Sequence, residues 1–496
     1  MKRNLLPYLL MLTITFPLIV MSQNNKLAEK KSGIKEKNNY NIRITAKGLK
    51  EGDQCLLAYY NWDKQYIKDT SKANANGEVI FKGNDTLAQG IYLFVIPSKR
   101  YFDFIVSKEQ DFSLETDTVD FVKNLKIKGS NENKLFNEYQ QYLALRQKDI
   151  EPLRAEMTRL GDKKDSVKLV QDKMAKIDKE VKEYKLAFIK NNPNTLISKI
   201  FRAMSEPDVP EAPTLPNGKK DSTFAYRYFK SHYFDEFDFT DDRLLHTPIF
   251  FNKIKFYIEK LTPPLPDSIN VTADYLIEKA RPNPEVFKYI VWYITSTYEN
   301  PTIMGMDAVF VHMVEKYYAT YQTPWMDSTQ YSKIITRAYT LKPLLLGKKA
   351  QNITMIDTTG KTTSLYDLKS KYTVLVFWDH ACGHCRKEIP KLATHYKEKL
   401  KAKGLEVFAV ETEDKPDEWK KFIRENKLNW INVHQPDEYK RAVTKKIYDI
   451  YSTPVIYLLD ENKIIKAKRI DSDQLEDFID RLEKDKLEKE KENKSK

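Results

Sequence analysis

The sequence predicts a multidomain chain with an N-terminal antiparallel β-sandwich, an all-α middle domain and a C-terminal α/β domain. Three observations carry that prediction. Short apolar runs separated by turn residues fill the region 40–130. Near Ser130 they give way to apolar residues at three-four spacing. Beyond Leu346, strand-like and helix-like segments alternate. The chain has 496 residues, more than one core usually serves, and its 30 Tyr, 24 Phe and 6 Trp can fill several.

The N-terminus reads MKRNLLPYLLMLTITFPLIVMSQNN. Lys2 and Arg3 precede an apolar run from Leu5 to Met21, and Val20 and Ser22 offer small residues for cleavage before Gln23. Residues 1–22 are expected to be a signal peptide, with an uncleaved membrane anchor as the alternative. No cysteine follows the run, so a lipoprotein is not expected. No later stretch is apolar enough to span a bilayer. The mature protein is therefore expected to be periplasmic or otherwise exported, without a stable membrane span, where disulfides persist. The net charge of +13 arises from 83 basic residues interspersed among 70 acidic ones, which reads as a solvated surface rather than a nucleic-acid interface. Glycine is scarce, at 14, and neither a P-loop nor a GxGxxG motif is present, so no nucleotide cofactor is expected.

The sandwich, 40–130, has strand-like runs at Cys55–Tyr60, Gly77–Gly83, Gly90–Ile96 and Tyr101–Val106, with turns such as Asn76-Gly77 between them. Cys55 lies in one of these runs and reads as a buried core thiol. The helical domain, 131–346, opens with two apolar stripes. Phe136, Tyr139, Leu143, Ile150, Leu153, Met157 and Leu160 form the first, which Arg146 interrupts. Val167, Val170, Met174, Ile177, Val181, Tyr184 and Phe188 form the second. Together they predict an antiparallel helical hairpin whose first arm Pro152 kinks or breaks. Lys288–Tyr298 and Met306–Tyr318 read as buried helices, the latter holding His312 as a core or rim residue. The α/β domain, 347–482, runs from the hairpin NITMIDTTGKTTS through the strand TVLVFW to a helix, then βαβ, a helix and a ββα finish. A charged tail, 483–496, follows.

Two of the three cysteines sit together in FWDHACGHCRKEIP. A structural zinc site wants more sulfur or histidine than this domain holds, so no metal is expected. A structural disulfide across two residues closes too small a loop to restrict the unfolded chain much. The third reading is a redox dithiol, and position favours it. A buried strand delivers Cys382 to a helix N-terminus, where unpaired N–H groups and the macrodipole favour a thiolate, the attacking species in exchange. Cys385, one turn further in, is shielded and resolves the mixed disulfide. His384 between them adds positive charge.

These residues resemble the active site of the thioredoxin superfamily. Pro390 matches the proline inside the family's first active-site helix, and Thr453-Pro454 matches its cis-proline loop. The resemblance covers about 347–482 and implies a thioredoxin fold there, with Trp378, Thr453 and Pro454 facing the substrate. Val376 stands where thioredoxin itself carries a buried aspartate. Glu388 instead matches the acidic residue of exported ResA/TlpA-like thiol–disulfide oxidoreductases, which implies an acid or base for the cysteine pair. Gly383-His384 is the pair found in protein disulfide isomerase and implies a potential between about −270 and −180 mV. The implied partners are protein thiols or disulfides and an unidentified upstream electron donor, with no cofactor. Two alternatives stand beside this reading. One is a thiol peroxidase of the peroxiredoxin kind, although the PxxxTxxC setting is missing before Cys382. The other is a binding or scaffold protein with an accessory redox domain. The upstream segments resemble uncharacterised N-terminal modules of exported thioredoxin-like proteins of Gram-negative gut-type bacteria.

Overall fold

The computed structural model describes residues 39–161 and 164–494. The expected signal peptide, 1–22, lies outside them. The chain divides into two compact units: one comprises the chain up to Thr262 together with Glu278–Tyr289, and the other comprises Pro263–Ile277 and the chain from Ile290 onward.

In the first unit, alternating sequences make strands β1 (Tyr40–Lys47), β2 (Gln54–Asn61), β3 (Lys64–Lys72), β4 (Glu78–Gly83), β5 (Gly90–Val95), β6 (Tyr101–Val106), β7 (Asp111–Asp117) and β8 (Lys126–Lys128). They form two four-stranded sheets, β4-β1-β7-β8 and β3-β2-β5-β6. β1 shows why: every second residue is buried, so one face packs inward. Ile42, Ile44, Leu57, Phe81, Phe94, Phe104 and Phe112 fill the core together with Cys55. One pair departs from the expected antiparallel rule. β1 and β7 run parallel, with Asn41 opposite Asp111, because five strands intervene between them and no hairpin joins them.

Helix α1 (Asn131–Leu160) is tied to this sandwich at its start. The Asn133 side chain accepts from the Ile105 N–H at 2.8 Å and donates to the Ile105 carbonyl at 2.7 Å. α1 packs antiparallel to α2 (Lys164–Asn191): Tyr142 stacks on Tyr184 at 4.1 Å, and Arg146, further along α1, reaches back to Glu180 at 3.3 Å. Arg146 thus interrupts the apolar stripe in order to pair across the hairpin. Of the kink or break expected at Pro152, the break does not occur: α1 is continuous through it. Proline removes the bond to the Lys148 carbonyl, but both residues are exposed, so that oxygen is open to solvent. Helices α3 (Leu196–Met204), α4 (Phe224–His232), α5 (Pro248–Lys260), α6 (Pro266–Ala280), α7 (Pro284–Glu299), α8 (Asp307–Met313) and α9 (Ser328–Leu341) follow.

The helical segment expected as one domain, 131–346, is therefore shared between the two units. The physical reason lies in the second unit. Asp307 of α8 forms a buried ion pair with Lys468, whose Nζ also donates to the Leu344 carbonyl at 2.9 Å. Met304 packs against the same core as the α/β sheet. The His312 Nε2–H donates to the Asp274 carboxylate of α6 at 2.9 Å, as a satisfied rim residue would.

The α/β part contains β9 (Thr354–Asp357), β10 (Thr362–Ser364), β11 (Tyr372–Trp378), α10 (Cys385–His395), β12 (Leu405–Glu411), α11 (Pro416–Glu425), β13 (Ile431–His434), α12 (Glu438–Ile447), β14 (Val455–Asp460), β15 (Ile465–Lys468) and α13 (Leu475–Lys494). Its sheet has seven strands in the order β10-β9-β13-β12-β11-β14-β15. β11, β12 and β13 are parallel, and β14 joins β11 antiparallel. β11 is buried along its whole length, as a central strand covered on both faces must be. Val374, Val376 and Trp378 face one core, and Leu375 and Phe377 the other. Most of the expected charged tail, 483–496, continues α13.

Candidate active site

β11 ends at Trp378, and a turn from Asp379 to His384 leads into α10. Local bonds shape that turn. The Asp379 carboxylate accepts from the Ala381 N–H at 2.7 Å, and the Asp379 carbonyl accepts from the Cys382 N–H at 3.2 Å. The Cys382 carbonyl accepts from the Arg386 N–H at 3.0 Å, so the first turn of α10 is built on Cys382. Pro390 lies inside α10, which continues past it to His395.

The two sulfurs sit in different surroundings. Cys382 is partly exposed, whereas Cys385 is fully buried. The Cys382 thiol donates to the Thr453 carbonyl at 3.3 Å, and the Thr453–Pro454 peptide is cis. The Asp379 N–H donates to the Cys385 sulfur at 3.4 Å. For Cys382, burial opposes ionisation, but hydrogen bonds from Thr453, Cys385 and the His384 N–H outweigh it and hold the thiol below its ordinary pKa. Burial pushes the Cys385 thiol up to about 12. Burial, with Asp53 adding to it, pushes the distant Cys55 thiol up to about 11.

The other expected residues fall in varied places. His384 is exposed, and it meets Cys382 through its backbone N–H. Glu388 lies one turn into α10, where its Oε1 accepts from the Ser472 N–H at 2.7 Å, at the approach to α13. Neither sulfur is among its hydrogen-bond partners in the described residues. Thr453 and Pro454 are both partly exposed beside Cys382. Trp378 was expected to face the substrate, but it is buried. It is 0% exposed, because its alternation along β11 points it into the core shared with Val374 and Val376, against Phe422 of α11 at 5.3 Å.

A second group, not anticipated from the sequence, adjoins the turn. His380 is 6% exposed, and its Nδ1 lies 3.2 Å from Glu411 Oε1 and 3.8 Å from Asp379 Oδ1. Its Nε2 lies 3.3 Å from Glu418 Oε2. Burial pushes the Glu411 carboxyl up to about 7, with His380 opposing. One signal was available: Glu411 is the acidic end of LEVFAVE, an otherwise apolar buried strand.

A mixed sheet with a CxxC dithiol at the head of a helix, opposite a cis-proline loop, defines the thioredoxin-like class. Comparison with known proteins agrees. Residues 346–468 match the model of the AhpC/TSA family, residues 165–341 match a domain of unknown function (DUF5106), and residues 40–136 match another (DUF4369). The thiol–disulfide oxidoreductase ResA of Bacillus subtilis is 34% identical over 122 residues, which are 24% of this chain and 65% of that protein. A ResA of Bacillus cereus is 30% identical over 145 residues, 28% of this chain and 78% of that protein. A solved domain of a possible thiol-disulfide isomerase from Cytophaga hutchinsonii is 51% identical over 29% of this chain and 96% of its own, with a TM-score of 0.27. Through its C-terminal quarter, the chain belongs to the ResA-like thiol–disulfide oxidoreductases.

Proposed function

We propose that the whole chain is an exported thiol–disulfide oxidoreductase that exchanges disulfides with protein substrates through Cys382 and Cys385. The observation that carries this reading is the asymmetry of the pair. One sulfur is reachable and lies against the Thr453 carbonyl, and the other is sealed behind it at the start of α10. In the reducing direction, the Cys382 thiolate attacks one sulfur of a substrate disulfide, and a substrate thiolate leaves. Cys385 then gives up its proton and attacks Cys382, which releases the second substrate thiol. The substrate gains two electrons and the pair closes as a disulfide. An upstream donor reopens it, and the reverse sequence oxidises a dithiol substrate. Thr453 and Pro454 provide the edge on which the substrate chain lies. His384 acts through its backbone N–H on Cys382, and Glu388 holds the start of α13 against α10.

Export is supported by Lys2, Arg3 and the apolar run from Leu5 to Met21. Among the described residues, no helix is long and apolar enough to cross a membrane.

The test uses the full chain without residues 1–22. With a small dithiol as donor, the wild type is expected to reduce insulin disulfides, Cys382→Ser is expected to be inactive, and Cys385→Ala is expected to retain substrates as mixed disulfides on Cys382. A scaffold role predicts otherwise: no turnover, no covalent capture, and partner binding unchanged in a cysteine-free chain.

A further inference from the structure

We propose that Asp379, His380 and Glu411 form a binding site for one divalent cation of the zinc type. The site contains no cysteine and adjoins the redox turn. One ligand atom from each residue can be chosen so that all three lie within 4.8 Å of one another.

The argument begins with donors and acceptors. A neutral imidazole carries one N–H. The two ring nitrogens of His380 both face carboxylates, Glu411 at 3.2 Å and Glu418 at 3.3 Å. If Nε2–H donates to Glu418, the Nδ1 lone pair points at the oxygens of Glu411 and Asp379. Either a proton on Nδ1 or Glu411, or a bound cation, bridges that gap. The arrangement has the form of a metal-binding histidine whose far nitrogen is held by a carboxylate.

Two further observations point to a cation. Glu411 Oε2 has no hydrogen-bond partner, although the Glu411 side chain is only 1% exposed. Among the described residues, no lysine or arginine pairs with Asp379, Glu411 or Glu418; each pairs only with His380. Three carboxylates therefore surround one imidazole.

The spacing fits. Ligands at about 2.0–2.2 Å from a tetrahedral zinc lie about 3.3–3.6 Å from one another. Nδ1 is 3.2 Å from Glu411 and 3.8 Å from Asp379, so small rotamer shifts close the set. Asp379 is 21% exposed and Glu418 65%, which leaves an entry path and room for water as the fourth ligand. The alternative arrangement, an imidazolium clipped between Glu411 and Glu418 without metal, is the competing outcome.

The test removes the thiols as ligands, so its result does not depend on the redox reading. The full chain carrying Cys382→Ser and Cys385→Ser is titrated with Zn²⁺ by calorimetry, and with Co²⁺ as a spectroscopic probe. The expected result is one equivalent bound, with the intense visible bands of low-coordinate Co²⁺. His380→Gln and Glu411→Gln, each checked for a native melt, are expected to abolish the signal. Glu418 is exposed, so Glu418→Gln leaves the fold intact even if the buried variants do not fold. It is expected to weaken binding about 10- to 100-fold. An absence of stoichiometric binding overturns the proposal, as does binding that Glu418→Gln leaves unchanged.

Discussion

Cys382 and Cys385 differ in what surrounds their sulfurs, and that difference sets the order of events. Cys382 is held below its ordinary pKa, so at a given pH more of it is thiolate than of a free cysteine. Its alkylation rate against pH should therefore reach half-maximum below about 8.5, the free-thiol value. Burial raises Cys385, so in Cys382→Ser the remaining thiol of the pair should stay unreactive at that pH. A Cys382 midpoint at or above the free-thiol value contradicts the site as described. Glu388 supports a different prediction. Its bond to the Ser472 N–H is a charge-assisted contact between α10 and the approach to α13. Glu388→Ala should lower stability by about 1.5–3 kcal/mol in urea unfolding and leave the Cys382 alkylation midpoint in place. A shifted midpoint at unchanged stability instead assigns Glu388 to proton transfer at the sulfurs.

Among the elements, β11 and α10 were the most legible. A continuous apolar run this short, rich in β-branched and aromatic residues and bounded by turn residues, reads as a buried strand, and the dithiol sits at the head of the helix after it. α12, Glu438–Ile447, is the helix expected between the βαβ unit and the ββα finish. What the sequence hid was direction and company. Nothing in β1 or β7 announces that they pair in parallel, since register depends on partners far along the chain. β3 has the sequence KQYIKDTSK, too polar to be marked by apolar periodicity, because it lies at a sheet edge. Pro152 does not end α1, because it sits at an exposed position. Trp378 was misplaced because family likeness names a position without saying which way its ring points. His380 and Glu411, thirty-one positions apart, meet only because β11 and β12 lie side by side in register. Trp378 carries the prediction at this scale. Trp378→Ala should cost about 3–5 kcal/mol of stability, read as a lower urea midpoint. A raised KM at full stability would restore it to the substrate face.

For the whole molecule, the boundary of the redox unit matters most. Asp307 and Lys468 are each less than a tenth exposed, and Arg337 of α9 pairs with buried Asp449 just before the Thr453–Pro454 loop. Arg337 also lies 5.6 Å from the Tyr451 ring in that loop. Helices upstream of residue 346 are thus part of what holds the α/β sheet. Asp307→Ala leaves Lys468 buried without its counter-charge and should cost about 3–5 kcal/mol. A chain beginning at 346 should likewise unfold at lower urea than the full chain, and equal midpoints refute the shared unit. The central claim, a dithiol that opens and closes, is tested most directly by equilibrating the intact protein in thiol–disulfide buffers and counting alkylated cysteines by mass. The account predicts one two-electron transition that joins Cys382 to Cys385 within the chain, with a midpoint between about −270 and −180 mV and Cys55 reduced throughout. A pair that never closes, or that forms disulfides only between chains, contradicts it.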